Sequence, residues 1–201
     1  RFCDSYVDVF TKIINGLLIN DYSKGRKDVL IKMKPYTIRY TQKEAGFKVK
    51  TTEKVLYVEM EKTTYSLAKS LSKNLVVEGK DEVILADTPV KLMMKLHQIY
   101  SGTVKFESGK AQVLDHSKAR FIRSKFANVK IGIFYKFKAE LKALKSVYGD
   151  DLTTDLEEFN ETDKSIALQI VSGREGISLR KARYLVYYNI DFSATSYWQS
   201  K

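Results

Sequence analysis

Cysteine, histidine and long apolar runs are scarce in this chain of 201 residues, and each scarcity excludes a class of protein. Its one cysteine, Cys3, cannot form an internal disulfide. His97 and His116 are the only histidines, too few to build a zinc cluster of ordinary spacing with it. No uninterrupted apolar run approaches the ~18 residues of a membrane-spanning helix, and residues 1–4 (RFCD) do not begin a secretory signal. We therefore expect a protein of the reducing cytoplasm with no membrane partner.

Acidic residues are also in the minority. The chain has 35 Lys and Arg against 24 Asp and Glu, a net charge of +11, and the excess lies in residues 1–128. A balance this basic is typical of proteins that meet a polyanion, and nucleic acid is the first such partner to consider. Many of these lysines have a simpler explanation as solvated helix faces, so charge alone does not identify the partner.

The amino-terminal part predicts helices followed by a boundary. Apolar residues at helical spacing predict a helix over residues 3–20, and residues 26–34 predict a second, short helix that ends before Pro35. Residues 53–60 (EKVLYVEM) alternate and predict a strand, which puts a domain boundary near residue 50. Both termini interrupt amphipathic patterns, and the chain has no initiating methionine, so we expect a piece of a longer protein.

After that boundary, strands and helices alternate. Helices are predicted over 61–76, 89–100, 115–126 and 136–147, a hairpin over 103–106 and 111–114, and buried strands over 129–134, 166–171 and 183–188. Apolar strands separated by helical segments are typical of a parallel sheet with crossover helices. Ligands of such open sheets gather at the carboxyl ends of the strands.

Three loops should therefore converge, beginning at Tyr135, Ser172 and Asn189. In the second loop, Gly173 and Gly176 would let the backbone approach a phosphate, and a helix that begins after them would direct free N–H groups at an anion. A Gly-x-x-Gly turn is also an ordinary connection from strand to helix. Local sequence does not decide between these interpretations.

Ordered blocks along the chain resemble the carboxyl-terminal RecA-like domain of superfamily-two helicases, specifically the Swi/Snf-type DNA translocases. The similar segments are residues 34–46, 53–67, 92–102, 108–122, 131–141 (motif IV), 158–160, 168–179 (motif V) and 184–201, which reaches the start of motif VI. Arg174 and Ser178 depart from the usual motif V, while Phe192 and Ser193 stand where Trp and Asn are commoner. The resemblance covers most of the chain.

The resemblance implies an α/β fold with a RecA-like (P-loop NTPase-type) parallel sheet flanked by helices. Residues 1–50 would be a helical protrusion between lobes, and residues 51–201 the second motor lobe. ATP would bind between this lobe and a first RecA-like lobe of the same parent chain, and double-stranded DNA would be gripped through its backbone. The implied DNA-binding residues are Tyr135, Lys136, Ser172, Gly173 and Arg174, with Arg39 and Arg183 as possible extras; Gly176 and Gln199 would face ATP.

The 201 residues contain no Gly-Lys-Thr phosphate loop, no acidic Mg²⁺ motif, and no arginine after Gln199 to act as the finger of motif VI. We therefore assign no catalytic or metal-binding residue within the chain and expect it to hydrolyse no ATP alone. ATP and Mg²⁺ would be cofactors of the parent, held mainly by its first lobe. The compact lobe suggests a viral or bacterial source, so that the parent would work in a prokaryotic or phage-infected cytoplasm.

Two alternatives stay open. A non-catalytic nucleic-acid-binding or interaction domain could keep the RecA-like frame, and the departures at Arg174, Ser178 and Ser193 would permit this. A methyltransferase or another nucleotide-binding enzyme on a doubly wound sheet is weakened, because no Gly-x-Gly-x-x-Gly turn follows any predicted strand.

Overall fold

The computed structural model describes residues 5–14, 16–38, 44, 46, 52–171, 177–190 and 192–200. The chain divides into two compact units, Arg1–Val55 and Leu56–Lys201. Over the described ranges, no helix combines the length and the apolar character needed to cross a membrane.

The first unit is built around a β-hairpin. Strand β1 (Val7–Ile14) pairs antiparallel with β2 (Leu17–Gly25), and Ile14 lies opposite Leu17 across a two-residue connection. Gly16 in that connection has φ +78°, which glycine adopts without strain. A short helix α1 (Asp28–Met33) follows and leads into a single 3₁₀ turn, Lys34–Tyr36.

The predicted helix over residues 3–20 is wrong, and the expected helical protrusion is largely a hairpin in its described part. Five of the eight residues of β1 are Val, Ile or Thr, whose branched side chains favour strands. The sequence Asn15-Gly16 is also the dipeptide that two-residue hairpin turns prefer. By contrast, the short helix predicted over residues 26–34 is confirmed as α1.

The second unit begins with two helices and two small hairpins around one apolar cluster. The elements are α2 (Lys62–Asn74), β3 (Val76–Glu78), β4 (Val83–Leu85), α3 (Pro89–Ile99), β5 (Thr103–Lys105) and β6 (Ala111–Val113). Strand β3 pairs with β4, and β5 pairs with β6, both antiparallel. Helix α3 starts as predicted: Pro89 is its first residue, and the Thr88 hydroxyl accepts the Lys91 N–H at 3.2 Å. The buried residues of the apolar cluster around which these elements pack are Ala68, Leu71, Ile84, Ala86, Ile99 and Val104.

The strand predicted over residues 53–60 is wrong, because residues 52–61 form neither helix nor strand. Tyr57 is 89% exposed and Val55 is 78% exposed, so this alternating pattern covers no core. The segment ends on side-chain contacts instead: the Glu61 N–H donates to the Asp115 carboxylate at 2.8 Å, and the same carboxylate accepts the Thr64 hydroxyl.

The rest of the second unit is a parallel α/β sheet. Its strands are β7 (Ile131–Tyr135), β8 (Leu152–Thr153), β9 (Ser165–Gln169) and β10 (Tyr184–Tyr187), in the order β10-β7-β9-β8. The helices are α4 (Ser117–Lys125), α5 (Lys138–Tyr148), α6 (Leu156–Glu161) and α7 (Ala194–Gln199), with a 3₁₀ turn at Gly149–Asp151. Every pairing in this sheet is parallel, which confirms the predicted α/β class with helices flanking a parallel sheet.

The sheet positions the loops of interest. Helices α4 and α5 pack on β7 through an apolar core that includes Ala119, Ile133 and Leu144. In the strand register, Tyr135 lies opposite Gln169, and Tyr187 lies opposite Phe134. Strands β7, β9 and β10 therefore end together, at what we call the carboxyl end of the sheet.

Candidate nucleic-acid interface

The carboxyl end of the sheet brings together part of the predicted DNA-binding set. Tyr135 is the last residue of β7, and Lys136 follows it directly. Four other predicted residues, Ser172, Gly173, Arg174 and Gly176, lie outside the described residues, as does Arg39. The geometry of the interface is therefore built from Lys136 and its neighbours.

The Tyr135 side chain lies in the core between the sheet and its helices rather than on the protein surface. Its side chain is 8% exposed within the core that α4 and α5 share with β7, and burial raises the pKa of its phenol. Its carbonyl accepts the Ile170 N–H at 2.8 Å, just past the end of β9. Tyr135 thus anchors the point at which Lys136 leaves the sheet and presents little side chain to a ligand.

The backbone of Lys136 is held on both sides. Its N–H donates to Oε2 of Glu140 at 2.7 Å, and its carbonyl accepts Nε2 of Gln169 at 3.0 Å. The ammonium lies 4.6 Å from the ring centroid of Phe192 and 5.3 Å from that of Phe137. Cations placed over aromatic faces in this way are attracted by the ring electrons. Lys136 therefore presents a positive charge from a backbone whose position is fixed.

Glu140 is the buried centre of the hydrogen bonds behind Lys136. Its side chain is fully buried in the first turn of α5, where Oε2 also accepts the Phe137 N–H at 2.8 Å. Its other oxygen, Oε1, accepts Nδ2 of Asn189 at 2.7 Å, and Asn189 is itself buried after β10. A carboxylate at a helix amino terminus is favoured by the unpaired N–H groups there. Glu140 thus joins the loops that follow β7 and β10.

His97 extends this network to helix α3. Its Nε2 is hydrogen-bonded to Oδ1 of Asn189, and its ring lies 5.4 Å from Phe137 and 4.6 Å from Phe192, centroid to centroid. Burial lowers the pKa of His97, and the Lys136 and Lys118 cations lower it further, against opposing contributions from the Asn189 hydrogen bond and Glu140. Its Nδ1 is buried and has no hydrogen-bond partner among the described residues.

Lys118, from α4, is the second cation beside the network. Its ammonium donates to the Tyr188 carbonyl at 3.4 Å and lies 5.6 Å from the Tyr188 ring centroid. Burial lowers the pKa of this lysine, while the Glu140 carboxylate opposes that shift. Among the described residues of this network, one carboxylate therefore stands beside two ammonium groups and an imidazole.

The remaining predicted residues are placed elsewhere. Gln199 is exposed at the end of α7, beside Trp198, which is 69% exposed. Arg183 stands just before β10, where its N–H donates to the Lys130 carbonyl at 2.9 Å. It therefore lies at the amino end of the sheet, on the opposite side from Lys136, and does not join the predicted cluster.

Sequence reasoning assigned no role to Glu140 or Lys118, and it named Asn189 only as the start of one of the three loops expected to converge. It considered His97 as a zinc ligand and excluded that role. A signal for Glu140 exists, because it shares the buried face of α5 with Ala139, Ala143 and Leu144. A carboxylate on an apolar helix face needs buried partners, which is a reason to look for them.

No metal-binding cluster of three or more His, Cys, Asp or Glu side chains occurs in the part of the chain that the structure describes. No protein-family model matches the chain, and no curated protein sequence matches it.

Proposed function

We propose that this chain is the second motor lobe of an ATP-dependent DNA helicase or translocase of the Swi/Snf type. It would bind the backbone of double-stranded DNA with the carboxyl end of its parallel sheet and complete an ATP site with a first RecA-like lobe. The observation that carries the proposal is Lys136, a cation with a fixed backbone at the end of a central strand. The order of the sequence blocks and the net charge of +11 support it.

The proposed DNA contact is a backbone contact. Lys and Arg side chains and exposed N–H groups bind phosphates without reading base sequence. Lys136 supplies such a charge, and Gly173 and Arg174, which follow β9 in the sequence, would add N–H donors and a guanidinium. Because Glu140 and Gln169 already fix the Lys136 backbone, binding of a phosphate would require little further ordering of that backbone.

The ATP side of the proposal rests on Gln199. An exposed side-chain amide both donates and accepts hydrogen bonds, which suits a contact to a nucleotide bound against another lobe. Binding of ATP between the lobes would close the cleft, and the bound nucleotide would supply the phosphoryl group that is transferred to water; a phosphate loop and Mg²⁺ site outside these residues would hold it. Within this chain, Gln199 and Gly176 would orient the nucleotide; neither would activate water.

The DNA contact predicts a defined effect of Lys136→Ala. We expect this variant to bind a short labelled duplex about three- to tenfold more weakly than the unaltered chain, whatever the duplex sequence. A plot of log affinity against log salt concentration should also become shallower by about one unit, because one phosphate contact is lost. Fluorescence anisotropy over a salt series measures both.

Lys145→Ala is the matched control, since Lys145 is an exposed lysine in the last turn of α5, the helix that follows Lys136. Removing this charge far from the carboxyl end of the sheet should change affinity by less than about twofold. Equal losses in Lys136→Ala and Lys145→Ala would show that net charge, and not this end of the sheet, accounts for binding.

A non-catalytic nucleic-acid-binding domain is the second candidate function, favoured by Arg174 and Ser178 within the segment that resembles motif V. It shares the DNA contact and differs in having no ATP turnover in the parent protein.

A further inference from the structure

The orientation of the Asn189 amide decides which nitrogen of His97 carries the proton. Both oxygens of the buried Glu140 carboxylate are acceptors: Oε2 takes the N–H groups of Lys136 and Phe137, and Oε1 faces Asn189. Asn189 must therefore turn its NH₂ group to Glu140 and its oxygen to His97. An amide oxygen only accepts, so Nε2 of His97 carries a hydrogen and Nδ1 is bare in the neutral ring.

This chain of bonds links three elements through two buried side chains. His97 lies on α3, Asn189 follows β10, and Glu140 lies in the first turn of α5. Glu140 and Asn189 are too buried for water to replace a lost partner, being 0% and 7% exposed. A change at His97 therefore reaches the Lys136 backbone by way of Asn189 and Glu140.

The His97 ring also contacts an exposed residue. It packs against Phe192, which is 54% exposed, and the Lys136 ammonium lies over the Phe192 ring. One imidazole thus contacts the loop after β10 twice, once by its hydrogen bond to Asn189 and once by its face.

We propose that His97 is a positioning residue of this interface: its neutral, Nε2-protonated ring holds the Asn189 and Phe192 loop and, through Glu140, the backbone of Lys136. The inference rests on the proposed nucleic-acid contact and names the residue that keeps that contact in place. His97 itself touches no phosphate in this account.

Acid acts against this arrangement. A second proton on the ring would sit on Nδ1, which is buried without an acceptor among the described residues. Of the charged groups that face the ring, Lys118 from α4 and Lys136 after β7 repel an imidazolium, while Glu140 from α5 attracts it. Burial is the largest influence and lowers the pKa of His97, so the packed ring stays neutral near pH 7.

The direction in which acid changes DNA affinity distinguishes a positioning role of His97 from a simple effect of its charge. Charge counting predicts tighter DNA binding in acid, since protonated histidines add positive charge. Loosening of the Lys136 and Phe192 segments predicts weaker binding in acid.

The experiment compares four proteins at fixed salt by duplex binding at about pH 7.5 and at an acid pH at which NMR shows the His97 ring of the unaltered chain to be protonated. The unaltered chain should bind about three- to tenfold more weakly at the lower pH. His97→Gln keeps an N–H donor for Asn189 but cannot titrate, so it should bind within about threefold of the unaltered chain at the higher pH and lose the acid effect. His97→Leu should bind about tenfold more weakly at both, having lost the bond. His116→Gln removes the other histidine and should behave as the unaltered chain does.

Two results would overturn the inference: tighter binding by the unaltered chain in acid, or His97→Leu binding as the unaltered chain does at the higher pH. Nitrogen-15 NMR of the His97 ring tests its basis without DNA. A proton on Nε2 and a bare Nδ1 near neutral pH support the inference, and the opposite tautomer contradicts it. If Lys136→Ala weakens binding while the His97 variants do not, the positioning role fails alone; if Lys136→Ala has no effect, the proposed DNA contact fails.

Discussion

Replacing Gly102 with alanine is expected to lower the free energy of unfolding by about 3 kcal/mol or more. Gly102 follows α3 with φ +82°, and a Cβ added there would lie 2.3 Å from the carbonyl oxygen of Asp115. The backbone is not free to move aside, because the Gly102 carbonyl accepts the N–H groups of Leu114 at 2.8 Å and Asp115 at 3.1 Å. Urea unfolding followed by circular dichroism measures the loss.

Gly109→Ala separates the clash from the backbone conformation. Gly109 has φ +87°, close to that of Gly102, but a Cβ there would meet no atom within 4 Å. Its substitution should therefore cost only the left-handed strain of alanine, about 1 kcal/mol. Equal losses at the two positions would contradict the close approach of Gly102 to Asp115.

That approach matters because Asp115 ties three segments together. Its carboxylate accepts the N–H groups of Ser117 and Glu61 and the Thr64 hydroxyl, at 2.7 to 2.8 Å. Burial raises the pKa of this carboxyl, but the hydrogen bonds outweigh burial and leave the pKa below its ordinary value. A clash at Gly102 would therefore also disturb the hydrogen bonds of Asp115 to the start of α4 and to the segment before α2.

Glu140→Gln is expected to lower the free energy of unfolding by about 3 kcal/mol, although the two side chains have nearly the same shape. Glutamine has one acceptor oxygen where the carboxylate has two. Its NH₂ group must face either the N–H groups of Lys136 and Phe137 or the NH₂ group of Asn189, and each choice opposes donor to donor. The buried site admits no water to relieve this.

The control for Glu140→Gln is the same substitution at Glu157, which is exposed in the first turn of α6. A change there should stay within about 0.5 kcal/mol, as is usual for surface positions. If both substitutions have equally small effects in urea unfolding, the hydrogen bonds of Glu140 do not stabilise the carboxyl end of the sheet as we describe.

The stability of the fold should also fall in mild acid because of His97. The ordinary pKa of histidine is 6.5, and burial lowers that of His97 in the folded chain. As pH falls below about 6.5, the unfolded chain takes up this proton first, so the free energy of unfolding decreases down to the folded pKa. His97→Gln should flatten this part of the stability profile; a profile unchanged by His97→Gln would contradict the burial of a neutral ring.

The parallel sheet could be predicted because its sequence leaves little choice. Residues 131–135 (IGIFY) are buried at every position. A helical pattern separates this apolar run from the next one, at 165–169, and that order predicts two strands that are parallel to each other. The first 60 residues follow no such rule. There, apolar pairs at 9–10, 13–14 and 17–18 fit a helix and a strand equally, and only the dipeptide Asn15-Gly16 in the sequence favours the hairpin.

The candidate site was predictable only in outline. Lys136 could be predicted because it follows an apolar strand pattern, and ligands of parallel sheets bind where the strands end. The network behind Lys136 draws on α3, α5, β9 and the loop after β10, and it pairs residues as far apart in sequence as His97 and Asn189, which are 92 positions apart. Such pairings depend on how helices dock on the sheet, which single-sequence periodicity does not contain.

The central claim, that this is a motor lobe, is tested most directly by the ATPase activity of the full-length parent, with and without double-stranded DNA. The 201-residue chain and a parent carrying Arg174→Ala would be assayed alongside. We expect DNA-stimulated turnover in the parent, none in the 201-residue chain, and a weakened response to DNA in the Arg174→Ala parent. A parent that hydrolyses no ATP with any DNA would contradict the motor function and leave a basic nucleic-acid-binding domain.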